Sequence, residues 1–307
     1  MPTDKVEISV VIPSYNSRGG LARSVDSALK QTFQNIEIIV VDDNNPDTEA
    51  RRNTESIMEA YQDNPKVRYL KHEKNKNGAA ARNTGIRAAR GKYIAFLDDD
   101  DEWSPEKLER QHAYIQSHEG YDCVYCLLSL DGKKEYVIPY ENDAIIPLLL
   151  NRTKMYTSSL MFTKDSLFSI GGFDESFRRH QDYELLVKFF ANGYKICCLR
   201  EVLASIRSLG GNRPTIEDFA LLKEHFLDVF SSIIDDLETK NPGIKNKIIA
   251  ANFAVVWDSA VARKKFVFAN SILKKYFFVS PKGFVSQVLF IYRGRLNRKF
   301  LSRLWNL

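Results

Sequence analysis

Tyr93-Ile-Ala-Phe-Leu-Asp-Asp-Asp-Asp-Glu-Trp103 runs from an uninterrupted apolar segment straight into five acidic side chains. The first half reads as a strand buried on both faces, as in a parallel sheet, and the acids begin where that strand would leave the sheet. In open α/β sheets, ligands bind just beyond the carboxyl ends of the strands. Like charges this close raise one another's pKa values unless a cation or hydrogen-bond donors offset the repulsion. A hard divalent ion such as Mn²⁺ or Mg²⁺, held by one or two carboxylates and completed by phosphate oxygens of a ligand, meets that need. In extended backbone, Asp98 and Asp100 share a face and Asp99 points elsewhere. The plain alternative is a solvated acidic turn that caps the next helix.

The flanking sequence repeats the theme. Ile8–Ile12 and Ile36–Val41 are β-branched runs that end in polar residues, and between them Leu21, Val25, Ala28 and Leu29 recur at helical spacing, a βαβ unit. Helices over Thr48–Tyr61 and Gly78–Ala89 and a strand over Val67–Leu70 complete a Rossmann-like half-sheet. Beyond Pro105 the pattern predicts a helix to about Ser117, then a strand (CVYCLLSL) and a hairpin at Asp131-Gly132. A helix near Ala144–Leu150, a strand near Ser158–Thr163, a turn at Gly171-Gly172, a helix over Asp182–Asn192 and a strand over Lys195–Leu199 follow. The sheet is therefore mixed. From Pro214 on, the pattern is helical.

The net charge of +5 over 307 residues hides an asymmetry, for Val261–Leu307 carries eleven Lys or Arg and no acid, which leaves residues 1–260 at −6. A basic tail interleaved with Phe266, Phe268, Tyr276, Phe277, Phe278 and Tyr292 suits an interfacial helix pair on an anionic membrane surface better than general nucleic-acid binding. The other reading is that these aromatics pack on the first domain or on a second copy in a homodimer. No signal peptide is visible and no run of about 18 apolar residues occurs. The expected setting is cytoplasmic, peripheral to the inner face of the membrane. Cys123, Cys126, Cys197 and Cys198 have a zinc-like spacing, but on strands they face opposite sides and read as buried apolar side chains.

Five segments occur in order: Pro13-Ser-Tyr-Asn16, Val41-Asp-Asp43, Asn77-Gly-x-x-x-Arg-Asn-x-Gly-Ile86, Phe96-Leu-Asp-Asp-Asp-Asp-x-Trp103 and Gly171-Gly-Phe-Asp-Glu175. Jointly, over about residues 7–210, they resemble the family 2 glycosyltransferases with the GT-A fold, such as those of bacterial polysaccharide synthesis. The resemblance implies an α/β catalytic domain over 1–212, with a nucleotide-sugar half to about 103 and an acceptor half from about 104, and a helical basic region over 213–307. Its activity would be the inverting transfer of a sugar from a nucleotide sugar, UDP-linked, to a hydroxyl of a glycan or lipid-linked saccharide.

By that resemblance, Pro13 and Tyr15 line the base pocket and Asp43 accepts a base N–H. Asp98 and Asp99 contact the ribose and sugar region, and Asp100, with Asp98, holds the Mn²⁺ or Mg²⁺. Arg207 reaches the diphosphate from the segment after the last strand, and Asp182 is the general base; from helix geometry, Gly78 at a helix N-terminus and Arg82 one turn on face either the diphosphate or neighbouring carboxylates. Read from the residues alone, alternatives stay open: turn formation for Asp42 and Asp43, with Asp42 the more structural, a surface salt bridge for Arg82, and an N-cap for Asp182. Two departures stand out, Gln181 where the family commonly has Glu, and Leu209 where many relatives carry His. They leave room for a catalytically silent nucleotide-sugar or glycan-binding module. A nucleotidyltransferase would need a Gly-rich phosphate loop after the first strand, where this chain has Pro13-Ser-Tyr-Asn16.

Overall fold

The computed structural model describes residues 6–17, 19–134, 140–153, 155–207 and 214–304. Leu209 lies outside the described residues. The chain forms two compact units, Met1–Ala144 with Met155–Leu209, and Ile145–Lys154 with Gly210–Leu307. A single division after residue 212 does not anticipate that 145–154 leaves the first unit and joins the second.

In the first unit the elements run β1 (Ile8–Ser14), α1 (Leu21–Leu29), β2 (Ile36–Asp42), α2 (Glu49–Glu59), β3 (Val67–Lys71), α3 (Gly78–Ala88), β4 (Tyr93–Phe96), β5 (Glu102–Trp103), α4 (Lys107–Ser117), β6 (Cys123–Leu130) and β7 (Lys133–Lys134). After α5 (Ile145–Leu149), in the second unit, come β8 (Leu160–Thr163), α6 (Lys164–Ser169), α7 (Gln181–Ala191) and β9 (Ile196–Ile206). Among the described residues the strands form one mixed sheet in the order β3-β2-β1-β4-β8-β6-β9-β5, with β7 paired to β6. The strands from β3 to β4 are parallel, and β8 runs antiparallel to both its neighbours.

The apolar runs explain this order. Ile8, Val10, Val11 and Ile12 of β1 and Ile38–Val41 of β2 are wholly buried, so no polar face is needed on either side. Helix α3 lies so close to β1 that a Cβ on Gly85 would stand 2.2 Å from Val11 Cγ1. Because β1 has β2 on one side and β4 on the other, the strand order reverses there, and the crevice beyond their carboxyl ends is the expected ligand site.

Three local expectations change. Strand β9 continues past Leu199 to Ile206, with register shifts opposite Cys126–Leu128, because it pairs with β6 along its length and with β5 at its end. The expected strand at Ser158 opens as a 3-10 turn over Thr157–Ser159. Short elements β5 and α6 carry too few residues to show a period. The Asp131-Gly132 turn is as expected, both residues having positive φ, which joins β6 tightly to β7. All four cysteines are buried free thiols.

The second unit consists of α5 and of α8 (Ile216–Val229), α9 (Ser231–Lys240), α10 (Ile244–Ala262), α11 (Phe266–Tyr276) and α12 (Pro281–Leu304). Ala250, Ala251, Phe253, Ala254, Val256 and Ala260 bury most of the circumference of α10, so it forms the centre on which α8, α9, α11 and α12 pack. Phe253 stacks on Tyr276 with ring centroids 3.4 Å apart. The 145–154 segment is fastened by polar side chains: Asn252 Nδ2 donates to Leu149 O at 2.9 Å, Asn151 Nδ2 to Asn252 Oδ1 at 2.9 Å, and Lys223 Nζ to Asn151 Oδ1 at 2.7 Å. No described helix is long and apolar enough to cross a membrane.

Candidate active site

The acidic run lies at the β1/β4 reversal and forms a turn, closed by Asp101 N–H donating to Asp98 O at 3.1 Å. The extended-backbone alternation expected for Asp98 and Asp100 therefore does not hold. Each carboxylate has its own surroundings. Ser14 Oγ, at the end of β1, donates to Asp99 Oδ2 at 2.9 Å. Burial, with the charges of Asp100 and Asp98, pushes Asp99 up to about 7. Burial and the charge of Asp98 also raise Asp100. Asp101, only 2 % exposed, accepts from Ser158 Oγ at 2.5 Å and from Arg207 N–H at 3.4 Å, while its carbonyl accepts from Ser24 Oγ at 2.7 Å. Burial lifts it to about 8. It fastens the turn to α1 and to the 3-10 turn, and Trp103 Nε1, donating to Ser158 O at 2.7 Å, does the same from below. Gly20 permits this closeness, for a Cβ there would meet Asp99 O at 2.4 Å.

Arg82, Asp98 and Asp182 meet around a cavity of about 200 Å³, which Tyr156, Thr157 and the run Arg178–Gln181 also line. Asn77, at φ 114°, starts α3 by accepting Ala80 N–H on its side-chain oxygen at 3.1 Å. One turn on, Arg82 Nη2 lies 2.5 Å from Asp98 Oδ1 and Nη1 donates to Gln181 Oε1 at 2.7 Å. A Cβ on Gly78 would stand 3.1 Å from both Arg82 Nη1 and Gln181 Oε1, so the glycine makes room for this pair. Arg82 is buried and reaches across the site, which removes the surface-salt-bridge alternative.

Asp182 is the second residue of α7, whose cap position is occupied by His180 in left-handed conformation with no side-chain cap. The capping alternative for Asp182 is thus not what the geometry uses. Its Oδ1 accepts Tyr183 N–H at 3.0 Å. Burial pushes its pKa up to about 6, against the pull of that N–H and of Arg82. A carboxylate of this kind is ionised near neutrality and still basic enough to take a proton.

On the other side of the reversal, Pro13 is half-buried and Tyr15 is 57 % exposed at the end of β1. Asp42 is wholly buried and tied to Tyr69 Oη at 2.5 Å, Asn44 Nδ2 at 2.8 Å and Arg51 Nε at 3.3 Å, a structural role. Asp43 is equally enclosed. Its Oδ1 pairs with His72 Nδ1 at 2.7 Å and accepts Lys76 N–H at 2.8 Å, while Oδ2 accepts Asn75 Nδ2 at 2.7 Å and Asn77 N–H at 2.9 Å. Since a carboxylate offers about four acceptor positions, a base N–H reaching Asp43 would have to share or displace one of these loop partners. Arg207 stands apart from the cavity, with Nη2 2.7 Å from Glu102 Oε1, an oxygen that also takes Arg23 Nε at 3.1 Å.

A divalent cation fits the donor set at the turn. Asp98 and Asp100 repel one another, and a backbone N–H and the charge of Arg23 offset only part of what burial and that repulsion cost Asp100. Among the described residues no group of three or more His, Cys, Asp or Glu is arranged around an ion, so the remaining positions would fall to phosphate oxygens and water. Asp98 would have to share itself between the ion and Arg82.

Several site residues escaped the sequence reading. Asn83 clasps the Gly171–Glu175 loop, donating to Phe173 O at 2.8 Å and Glu175 Oε1 at 2.9 Å and accepting Phe173 N–H at 2.9 Å. Its place one residue after Arg82 in a quoted motif was the available signal. Ser14 had the same signal, standing in Pro13-Ser-Tyr-Asn16, whereas for Tyr156, Thr157, Ser158 and the structural part of Asp101 there was none, because their partners lie far off in sequence.

The Glycosyl transferase family 2 model matches residues 9–186, and the chain belongs to that family. The chain is 31 % identical over 211 residues to the amylovoran biosynthesis glycosyltransferase AmsB of Erwinia amylovora, covering 65 % of this chain and 69 % of AmsB. It spans less of some other relatives, 58 % of one uncharacterized Rickettsia prowazekii glycosyltransferase and 27 % of one from Rickettsia bellii. Among solved structures, Staphylococcus aureus TarS 1-349 in complex with UDP-GlcNAc superposes with a TM-score of 0.59 at 18 % identity over 92 % of each chain. The mannosyltransferase PcManGT of Pyrobaculum calidifontis, in complex with GDP-Man and Mn²⁺, gives 0.57 at 15 % identity over 96 % of this chain and 87 % of that one. At these identities the likeness establishes the fold, which is GT-A.

Proposed function

We propose that the protein moves a sugar from a UDP-linked donor, with inversion, to a hydroxyl of a glycan or lipid-linked saccharide during cell-surface polysaccharide synthesis. The observation that carries this reading is the meeting of Asp182, Arg82 and Asp98 around one cavity, with Asp182 held near pH 6. Asp182 takes the proton of the acceptor hydroxyl as that oxygen attacks the anomeric carbon from the side opposite the leaving diphosphate. Arg82, braced by Gln181, fixes Asp98 and offers positive charge to the departing phosphates. Tyr15 supplies an aromatic face for the base at the β1 end. Asp98 and Asp100 would hold Mn²⁺ or Mg²⁺, which when bound neutralises charge on the leaving nucleoside diphosphate. The AmsB relative supports the polysaccharide setting and the TarS complex supports uridine, while GDP-Man in PcManGT keeps the base a matter for experiment.

Peripheral attachment to the inner, anionic face of the membrane completes the reading. In α12, Phe284 and Gln287 are buried while Val285, Leu289 and Tyr292 form an exposed apolar stripe one helical step away, among Lys282 and Arg293. The test of function is release of UDP from a panel of UDP-sugars with Mn²⁺, followed by analysis of the product anomer. Turnover abolished in Asp182→Asn and Asp100→Ala is expected. Turnover only with GDP- or dTDP-sugars removes the uridine assignment, and tight UDP-sugar binding with no turnover leaves a silent binding module.

A further inference from the structure

Asp43 and Tyr15 share one corner of the sheet. Asp43 N–H donates to Ser14 O at 2.8 Å and Asn16 N–H to Asn44 Oδ1 at 2.8 Å, so Tyr15 lies between two bonds that join the ends of β1 and β2. The four partners that enclose the Asp43 carboxylate are not equally free to leave it. Lys76 and Asn77 donate from the backbone, at 2.8 and 2.9 Å, and giving either up would unseat the chain that enters α3. His72 is buried, and its other ring nitrogen lies 2.9 Å from Thr84 Oγ1. Asn75 differs from these three. Its Nδ2, 2.7 Å from Asp43 Oδ2, belongs to the side chain of an exposed residue whose backbone N–H is pinned separately, to Asn45 Oδ1 at 2.8 Å. That amide can turn away about its side-chain torsions with the loop left in place, and in doing so it recovers hydrogen bonds from water.

The amide stands over Asp43 as a donor, since its nitrogen faces two acceptors, Oδ2 and the backbone carbonyl of Asp43 at 3.0 Å. A ring N–H that took its place would make the same bond to Oδ2 and free the amide to donate to an acceptor beside that N–H. In uracil, N3–H lies between two carbonyls, of which O4 is the one remote from the ribose. In cytosine, N3 is a bare acceptor that a carboxylate repels, and an amino group replaces O4. The strand order β3-β2-β1-β4 sets the loop after β3, which carries Asn75, on the side of Asp43 away from the acidic turn that follows β4. A donor whose diphosphate lies at that turn presents the remote edge of its base, and hence O4, to this loop.

We propose that Asn75 holds the place of the base in the free protein and reads the base once it is bound. The ring N–H replaces the amide on Asp43 Oδ2, and the amide, swung outward, donates to O4. Asn75 is thus a specificity residue for uracil over cytosine. This rests on Asp43 accepting the base N–H.

The test is calorimetric titration of the whole protein with UDP and with CDP in the presence of Mn²⁺. The two ligands share ribose, phosphates and metal, so the ratio of their affinities reports the base edge and is blind to losses common to both, partial misfolding included. The unaltered protein is expected to prefer UDP at least about tenfold, because cytosine leaves an enclosed carboxylate facing an acceptor. In Asn75→Asp a second carboxylate repels O4 and accepts the amino group of cytosine, so the preference falls at least about tenfold; in Asn75→Ala, which only removes a donor, it falls about threefold or more. In Asp43→Ala it vanishes. A preference unchanged in both Asn75 variants but abolished in Asp43→Ala overturns the proposal and leaves Asp43 as the base acceptor. A preference untouched by Asp43→Ala, equal binding of UDP and CDP to the unaltered protein, or binding of neither overturns the base reading and the proposal with it.

Discussion

Asp182 gives the most direct access to the reaction through pH. Its pKa of about 6 means that the base loses its charge about two units above an ordinary aspartate, which titrates at 3.8. A group titrating there is about 91 % ionised at pH 7 and about 9 % at pH 5, so turnover limited by its basic form falls about tenfold between them. At the ordinary value the same change in pH would cost less than about a tenth of the rate. The assay is UDP release at saturating donor and Mn²⁺, with the acid limb read against that of Asp182→Asn. The sign for stability runs the other way. The native state holds this proton more tightly than the unfolded chain, so the group's contribution is fully present below pH 3.8 and is lost as pH rises to about 6. Asp182→Asn should therefore be inactive yet, at neutral pH, more stable by up to about 3 kcal/mol in urea unfolding. A flat rate between pH 7 and 5, or an asparagine variant that is both active and no more stable, refutes the assignment of the base.

Other outcomes follow from the same geometry. Gly78→Ala should cut turnover about tenfold or more while changing stability little, since the added methyl presses on the Arg82–Gln181 pair rather than on the core; paired activity and urea curves decide this. Ser158→Ala should destabilise by about 1–3 kcal/mol, because buried Asp101 loses its donor, a loss read as a lower midpoint of unfolding. Asp100→Asn should raise the Mn²⁺ concentration for half-maximal UDP release at least about tenfold, whereas unchanged metal dependence would detach Asp100 from the ion. Leu289→Glu/Tyr292→Glu should lower partition onto phosphatidylglycerol vesicles about tenfold relative to phosphatidylcholine, and equal loss on both would speak against an anionic surface.

The strands of the first half were legible because residues such as Ile8–Ile12 and Ile38–Val41 are buried on both faces, and a wholly apolar run admits few other readings. The acidic turn announced itself by density of charge. Its internal division of labour did not, because Asp98, Asp99, Asp100 and Asp101 are chemically identical and differ in partners 16 to 106 residues away, such as Arg82, Ser158, Ser14 and Arg207. Asp43 illustrates the converse. Its position after β2 pointed to a ligand, while its enclosure by His72, Asn75, Lys76 and Asn77 depends on how the 72–77 loop folds back, which spacing does not reveal.

The excursion of residues 145–154 dictates an order of assembly. As the chain emerges during synthesis, Ile145, Leu148 and Leu149 arrive some hundred residues before Asn252 of α10, the side chain that fastens them. Until then these side chains must wait uncovered, exposed to chaperones and to neighbouring nascent chains. A protein shortened after Leu209 would carry that waiting state permanently, so the helical unit cannot be trimmed away as an independent tail without leaving a sticky scar on what remains.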